Sequence, residues 1–264
     1  MNKLQQWVML IAIFLLFPNS SWAAVPVEQR SRDYYESHGS VIWEVPTEEK
    51  VIALTFDDGP DPKQTPMILD LLKQYDAKAT FFVVGEQLQL YPEIGKREVR
   101  EGHEIGNHTY THRYFSKRSS AELIEKEIKD NEKVIKSIIG QNTFLFRPPA
   151  GFYNDTLVNV CSKNSFLVIM WSWHQDTKDW RNPGVNKIVN KVLGNARNGD
   201  IVLMHDHVEG GRYQTVEALK QILPELTRRG YKLITVSDLL TYNKHLFPVE
   251  RLPAEHPTHK KSSN

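Results

Sequence analysis

Residues 51–60 read VIALTFDDGP, a strand-forming run that stops at two adjacent carboxylates and a Gly-Pro pair. The run is apolar on both faces, as a parallel strand covered by helices has to be. Side chains alternate along a strand, so Asp57 and Asp58 cannot share one face of it and must turn out at its end. Asp, Gly and Pro also make ordinary solvated turns. Taken alone, the segment fits a bland loop as well as a site.

The same pattern recurs on either side of it. Short apolar runs rich in β-branched and aromatic residues lie at 79–84, 143–146, 166–171, 200–204 and 231–236, with a shorter one near 103–107. Helical periods fall between them. Thr65 can cap a helix with Pro66 at its first position, and Ser119 or Ser120 can cap a long one through Ile139 that Gly140 ends. Residues 185–196 and 215–228 repeat the helical spacing, and Pro224 should kink or split the second. Six or seven alternations of strand and helix predict a single parallel α/β domain of barrel-like form. An open doubly wound sheet is the alternative. Neither GxGxxG nor GxxxxGK[ST] occurs, so no nucleotide is expected.

Composition narrows the partners. The 33 Lys and Arg against 32 Asp and Glu leave a net charge of +1, with no basic field to attract nucleic acid. Residues 7–17, WVMLIAIFLLF, follow Lys3 and precede Ser21-Trp22-Ala23-Ala24. The stretch is too short for a bilayer, which needs about 20 apolar residues. It reads as a signal peptide over residues 1–24, cut after Ala23 or Ala24, with an uncleaved anchor as the alternative. No other segment is apolar enough to span a membrane, so the protein is expected to be exported, either secreted or associated with the cell wall or membrane. Residues 25–49 read as a linker, 50–242 as the domain, and 243–264 as a polar, disordered tail. The one cysteine, Cys161, allows no internal disulfide and follows an apolar stretch, so it reads as a buried, inert thiol.

The chemistry-bearing residues gather where strands end. In Gly106-Asn107-His108-Thr109-Tyr110-Thr111-His112 two imidazoles stand at i and i+4, which on a helical turn would face the same way. Such a pair can grip a divalent metal, and Asp57 or Asp58 could complete a set of two histidines and one carboxylate with an open position. The run at 143–146 leads into Arg147-Pro148-Pro149-Ala150-Gly151. The run at 166–171 leads into WSWHQDTKDW at 171–180, and that at 200–204 into His205-Asp206-His207. Each could be a salt bridge, a core edge or a polar loop. Together they fall at the C-terminal ends of successive strands, the rim where α/β barrels hold their active sites.

TFDDGP at 55–60, HTYTH at 108–112, RPPAG at 147–151, DTKDW at 176–180 and LMH at 203–205 resemble, in order, the five motifs of the polysaccharide deacetylase family, the NodB-homology domain or carbohydrate esterase family 4. The resemblance covers roughly residues 50–240. It implies an α/β fold, a distorted (β/α) barrel of about seven parallel strands in a single domain, and a metal-dependent hydrolase that removes acetyl groups from N-acetylated amino sugars. Asp57 would be the general base, and Asp58, His108 and His112 the metal ligands. Arg147 would hold Asp57, His205 would be the general acid, and Asp179 would tune it. Pro149, Ala150, Gly151, Trp180 and Leu203 would meet substrate. The family often carries an aromatic residue where this chain has Ala150, so a backbone N–H can be supplied there but not a ring.

The residue types suit that chemistry. An N-acetyl amide is a poor electrophile with a poor leaving group, which calls for a Lewis acid, a base for water and an acid for the amine. There is no GxSxG and no Ser or Cys at a nucleophile position. The expected metal is zinc, with cobalt, nickel or manganese as alternatives. The expected substrate is an extracytoplasmic glycan containing N-acetylglucosamine or N-acetylmuramic acid, peptidoglycan or a chitin-like polymer. Three of the six Trp lie within 171–180, where rings could stack on sugars. An acetyl-xylan-esterase-like O-deacetylase and a non-catalytic glycan-binding protein are the competing readings.

Overall fold

The computed structural model describes residues 30–208, 210 and 213–243. The expected signal segment, and the expected tail beyond residue 243, lie outside the described residues. The chain opens with α1 (Arg32–Ser37) and β1 (Val41–Ile42), then runs β2 (Val51–Asp57), α2 (Gln64–Gln74), β3 (Ala79–Val83), α3 (Gly85–Leu90), α4 (Pro92–Arg100) and β4 (Glu104–Asn107). It continues α5 (Ala121–Ile139), β5 (Leu145–Phe146), α6 (Asp155–Lys163), β6 (Leu167–Ile169), α7 (Val185–Leu193), β7 (Ile201–His205), α8 (Gln214–Arg228), β8 (Lys232–Leu233) and α9 (Val236–Leu240).

All strand pairs are parallel, in the order β1-β6-β5-β4-β3-β2-β7, with β8 against the start of β2. The sheet curls into a half-barrel, and the edge strands β1 and β7 do not pair with each other. Loop backbone fills the gap. Val45 donates to Gly199, Ser172 donates to the Ile201 carbonyl, and Asp176 bridges to Leu203. The segment 25–49 is thus not a linker throughout. Trp43 and Val45 are buried, and β1 borders β6, because an open edge beside β6 would leave its polar backbone unpaired.

Alternation along β2 sorts the core and delivers the site. Ile52, Leu54 and Phe56 face outward into one apolar cluster with Leu69, Leu72, Leu219 and Ile222 of α2 and α8. Val51 and Ala53 face inward, packed with Phe82, Leu145, Ile169 and Ile201 over Leu239 of α9. Thr55 and Asp57 continue that inward face. The inside of the barrel is therefore apolar at the bottom and polar at the C-terminal rim.

The helices depart from expectation in places. Ser120 caps α5 by accepting from the Leu123 N–H, and Gly140 ends it at φ 82°. Thr65 does not cap α2. That helix starts at Gln64, and the Thr65 hydroxyl accepts the Asp61 N–H instead. Pro224 does not split α8, because Ile222, Leu223 and Leu226 on the buried side anchor both turns around it. Cys161 is fully buried, and burial pushes its thiol well up. Among the described residues no helix is long and apolar enough to cross a membrane.

Candidate active site

A cavity opens at the C-terminal rim, lined in part by Asp57, Asp58, His108, His112, Ala150, Gly151, Trp180, Leu203 and His205. It also takes in Tyr114, Pro148, Trp171 and Asp176. Pro149 is buried and lies outside this lining, its neighbour Pro148 taking the wall position. Another cavity, around Glu104 and Ser237, lies at the opposite end of the strands, away from these groups.

His108 and His112 do not lie on a helical turn. They sit in the loop after β4, with Thr109 at φ 69° and His112 at φ 56°. Side chains have taken the N–H groups that a helix would need. Asn107 Oδ1 accepts from Thr109, and Glu127 Oε2 of α5 accepts from Tyr110 and Thr111. Asn131 of α5 in turn donates to Asn107 Oδ1. The imidazoles still converge, with ring centroids 5.2 Å apart.

Asp58, His108 and His112 place one donor atom each within 4.8 Å of the others, an arrangement that can hold a metal. Asp58 Oδ1 lies 3.3 Å from His108 Nε2 and 3.0 Å from His112 Nε2. His108 Nδ1 is 2.7 Å from the Arg147 carbonyl, so its N–H donates there and Nε2 turns a lone pair to the site. Asp58 Oδ1 is buried without a hydrogen-bond donor. Lone pairs converging from three groups require protons or a cation between them, and a divalent cation fits this donor set. Burial alone would raise the Asp58 carboxyl, but the two imidazoles hold it well below the usual carboxylate range. His112, which burial alone would lower, is raised by Asp58.

Asp57 is 3% exposed, and its Oδ1 accepts from Arg147 Nη1 at 2.7 Å. Arg147 is fully buried and makes three further hydrogen bonds, to Thr55 Oγ1 and the Ile169 and Met170 carbonyls. Its guanidinium lies 4.1 Å from the Phe82 ring centroid. The guanidinium fixes one oxygen of Asp57 and leaves Oδ2, which is 3.8 Å from His108 Nε2.

Across the cavity, His205 Nδ1 is 2.7 Å from Asp179 Oδ1. Asp179 is buried and also accepts the His205 N–H, the Thr215 hydroxyl and the Trp180 N–H. Burial alone would raise Asp179, but His205 holds it below its ordinary value. Burial alone would lower His205, but Asp179, with help from Asp58 and Asp57, pushes it up to about 10. The imidazole is therefore charged at neutral pH, with Nδ1 committed and Nε2 left for the cavity.

Arg147 and Asp179 thus lie behind the cavity, in contact with Asp57 and His205 of its lining. Trp180 is 47% exposed and Tyr114 67%, flat apolar rings at the mouth. Tyr114 was not singled out from sequence, although an aromatic residue two positions past His112 was a signal. Glu127 and Asn131, which shape the His108–His112 loop, carry no local signal, since they belong to a distant amphipathic helix.

Residues 44–169 match the family described as polysaccharide deacetylase. The chain is 52% identical over 216 residues, 81% of its length, to a peptidoglycan-N-acetylglucosamine deacetylase of Bacillus cereus, covering 99% of that protein. Its fold superposes on the crystal structure of the Bc1960 peptidoglycan N-acetylglucosamine deacetylase with a TM-score of 0.75 and 34% identity, over 80% of this chain and 97% of the other. A family 4 acetyl xylan esterase from Clostridium thermocellum, solved with a cobalt ion, gives 0.66 at 35% identity, over 73% and 91%. Sequence, fold and rim geometry agree: the chain belongs to the polysaccharide deacetylase family.

Proposed function

We propose that the chain is a metal-dependent polysaccharide N-deacetylase, hydrolysing the acetamide of N-acetylglucosamine or N-acetylmuramic acid units in an extracytoplasmic glycan. The supporting observation is one cavity that holds three different devices. These are a donor set of two histidines and one carboxylate, a carboxylate fixed by a buried arginine, and an imidazolium fixed by a buried carboxylate. The family uses a divalent metal, and Asp58, His108 and His112 would hold it here. When bound, such an ion supplies Lewis-acid chemistry, polarising an acyl carbonyl and lowering the pKa of water from about 15.7 to about 7.

The remaining steps belong to side chains. Asp57, oriented by Arg147, takes a proton from the attacking water through its free Oδ2. Charged His205 gives the Nε2 proton to the departing amine while Asp179 steadies the ring. Each proton-transfer partner is worth about 10²–10⁴ in rate. Water attacks directly, so no covalent enzyme intermediate forms. Trp180 and Leu203, with the backbone of Ala150 and Gly151, meet the sugar. Zinc suits mixed nitrogen and oxygen ligation, and cobalt, nickel and manganese are the competitors. Residues 1–24 serve as an export signal in this reading, which suits cell-wall peptidoglycan as the substrate, the polymer named in Bacillus cereus relatives.

The test is acetate release from N-acetylglucosamine oligomers, purified peptidoglycan and acetylated xylan, before and after chelation and with Zn²⁺ restored. Release from an N-acetylated substrate that disappears with chelator and returns with metal is expected. Release from xylan alone assigns an O-deacetylase, as in the esterase relative. No release anywhere by metal-loaded protein assigns a non-catalytic role.

A further inference from the structure

We infer that Asp206, a residue with no part in the proton transfers above, is the positioning residue for the metal-binding carboxylate. The inference rests on Asp58 being a metal ligand. Asp58 has φ 77°, a left-handed backbone that a non-glycine residue keeps only when its surroundings impose it. The conformation of Asp58 is fixed by the two peptide planes that flank its Cα. Asp206 grips both. Its N–H donates to the Asp57 carbonyl at 3.2 Å, on one plane, and its carboxylate Oδ1 accepts the Gly59 N–H at 3.1 Å, on the other.

The grip is itself held. Asp206 is 1% exposed, and its Oδ2 accepts from the Thr65 hydroxyl at 2.5 Å. The Thr65 oxygen accepts from the Asp61 N–H at 2.7 Å, which brings the far end of the same loop into the cluster. A second stitch runs beside it, with His207 Nδ1 3.0 Å from Asp61 Oδ2. Gly59 is required by this arrangement. A Cβ there would stand 2.0 Å from Asp206 Oδ2, so the carboxylate occupies the space a side chain would need. The Gly59 carbonyl accepts from the Val84 N–H, which fixes the loop on its β3 side.

Asp206 also follows His205 directly, so one end of β7 carries the proposed acid and holds the loop of the proposed ligand and base. Replacing the carboxylate by an amide puts an amino group at one of the two oxygen positions. Facing the Gly59 N–H, it removes the anchor of the second plane; facing the Thr65 hydroxyl, it removes the acceptor of the bond that holds the group against that N–H.

The test is Zn²⁺ affinity by competition with a chromophoric chelator, read alongside thermal unfolding in excess EDTA. Asp206→Asn is expected to bind Zn²⁺ about 10–100-fold more weakly, the loss typical when a group supporting a metal ligand is removed. A purely structural role would lower the apo melting temperature and leave the Zn²⁺ Kd of the folded protein unchanged. A Kd within about twofold of wild type therefore overturns the inference. Should Asp206→Asn fail to fold, Thr65→Ser and Thr65→Val are compared. The serine keeps both hydroxyl contacts and should bind as wild type, and the valine should bind several-fold more weakly; equal values overturn the inference. The Kd is measured without substrate, so an error in the assigned glycan does not affect it. Wild-type protein that binds no divalent metal overturns both this inference and the functional reading beneath it.

Discussion

Arg147 and Asp57 form a buried ion pair whose two halves should be far more costly to remove singly than together. Arg147 is fully enclosed and makes four side-chain hydrogen bonds, to Asp57, Thr55 and the Ile169 and Met170 carbonyls. Arg147→Met keeps much of the packing against Phe82 but leaves the Asp57 carboxylate buried without its cation. An uncompensated buried charge costs about 3–5 kcal/mol. At about 2–4 °C per kcal/mol for a domain of this size, a loss of about 4 kcal/mol lowers Tm by about 8–16 °C. Asp57→Asn leaves the guanidinium charge instead, at a similar cost of about 3 kcal/mol. The double variant removes both charges, so it should be no less stable than Arg147→Met alone. That gives a coupling of about 3 kcal/mol. The assay is urea unfolding of all four proteins in excess chelator, followed by circular dichroism and by tryptophan fluorescence. Single-variant losses that add to within about 0.5 kcal/mol would refute the reasoning. Arg147 would then be a packing residue, with no special hold on Asp57. Arg147→Lys is not a rescue, because an ammonium cannot reproduce the planar fork that reaches all four acceptors.

Chelation should abolish acetate release and lower Tm. Restoring Zn²⁺ to about 100 times its Kd should return about 2.7 kcal/mol, visible by calorimetry, and an unmoved Tm would mean the triad binds no metal. His112 is on a rim loop with its ring part-exposed, so His112→Ala should weaken Zn²⁺ binding at least about 10-fold and shift the apo Tm by only about 2 °C. Unfolding of that variant would instead make His112 structural. Asp179→Asn should move the basic limb of the kcat profile to lower pH. The sign follows from His205: its pKa is raised, so its charged form, and the stability that form contributes, is complete below about 6.5 and lost as pH climbs through about 10. Removing Asp179 withdraws the strongest contribution raising it. A cation on Asp58 offsets part of the rest, so the limb of the loaded enzyme lies below about 10. A limb at the same pH in both proteins would mean His205 is not the group that titrates.

What the sequence made legible is what chemistry forces into consecutive residues. The β2 strand reads plainly because both of its faces are buried, and Asp57-Asp58-Gly59-Pro60 reads as an exit because no strand can keep it. Ser120 and Gly140 bound α5 by local hydrogen bonding, so local sequence suffices. The fold was missed where the signal is non-local. β1 is two residues long and is a strand only because β6 leaves it an edge to fill. The His108–His112 spacing suggested a helical turn, but Glu127 and Asn107 outcompete helical hydrogen bonding there, and Glu127 comes from a helix that begins nine residues further on than His112. Thr65 looked like a helix cap for the same local reason and was drawn instead to Asp61 and Asp206.

That contrast separates two kinds of residue in the site. Groups that carry charge or protons, such as Asp57, His108 and His205, must be of a given chemical type and stand at a strand end, so they appear as motifs. Many of the contacts that set the angle of those residues end on backbone N–H and C=O atoms, which every residue has. Arg147 belongs to both kinds. Its guanidinium holds Asp57, and its carbonyl selects the His108 tautomer. Only the first of these roles depends on its side chain. Substitution at Arg147 should therefore disturb Asp57 strongly while leaving His108 Nδ1 hydrogen-bonded, so Zn²⁺ binding should survive in a folded Arg147→Met protein whose base is no longer held in place. Loss of metal in that variant, with the fold intact, would mean that the guanidinium orders the metal ligands as well as the base.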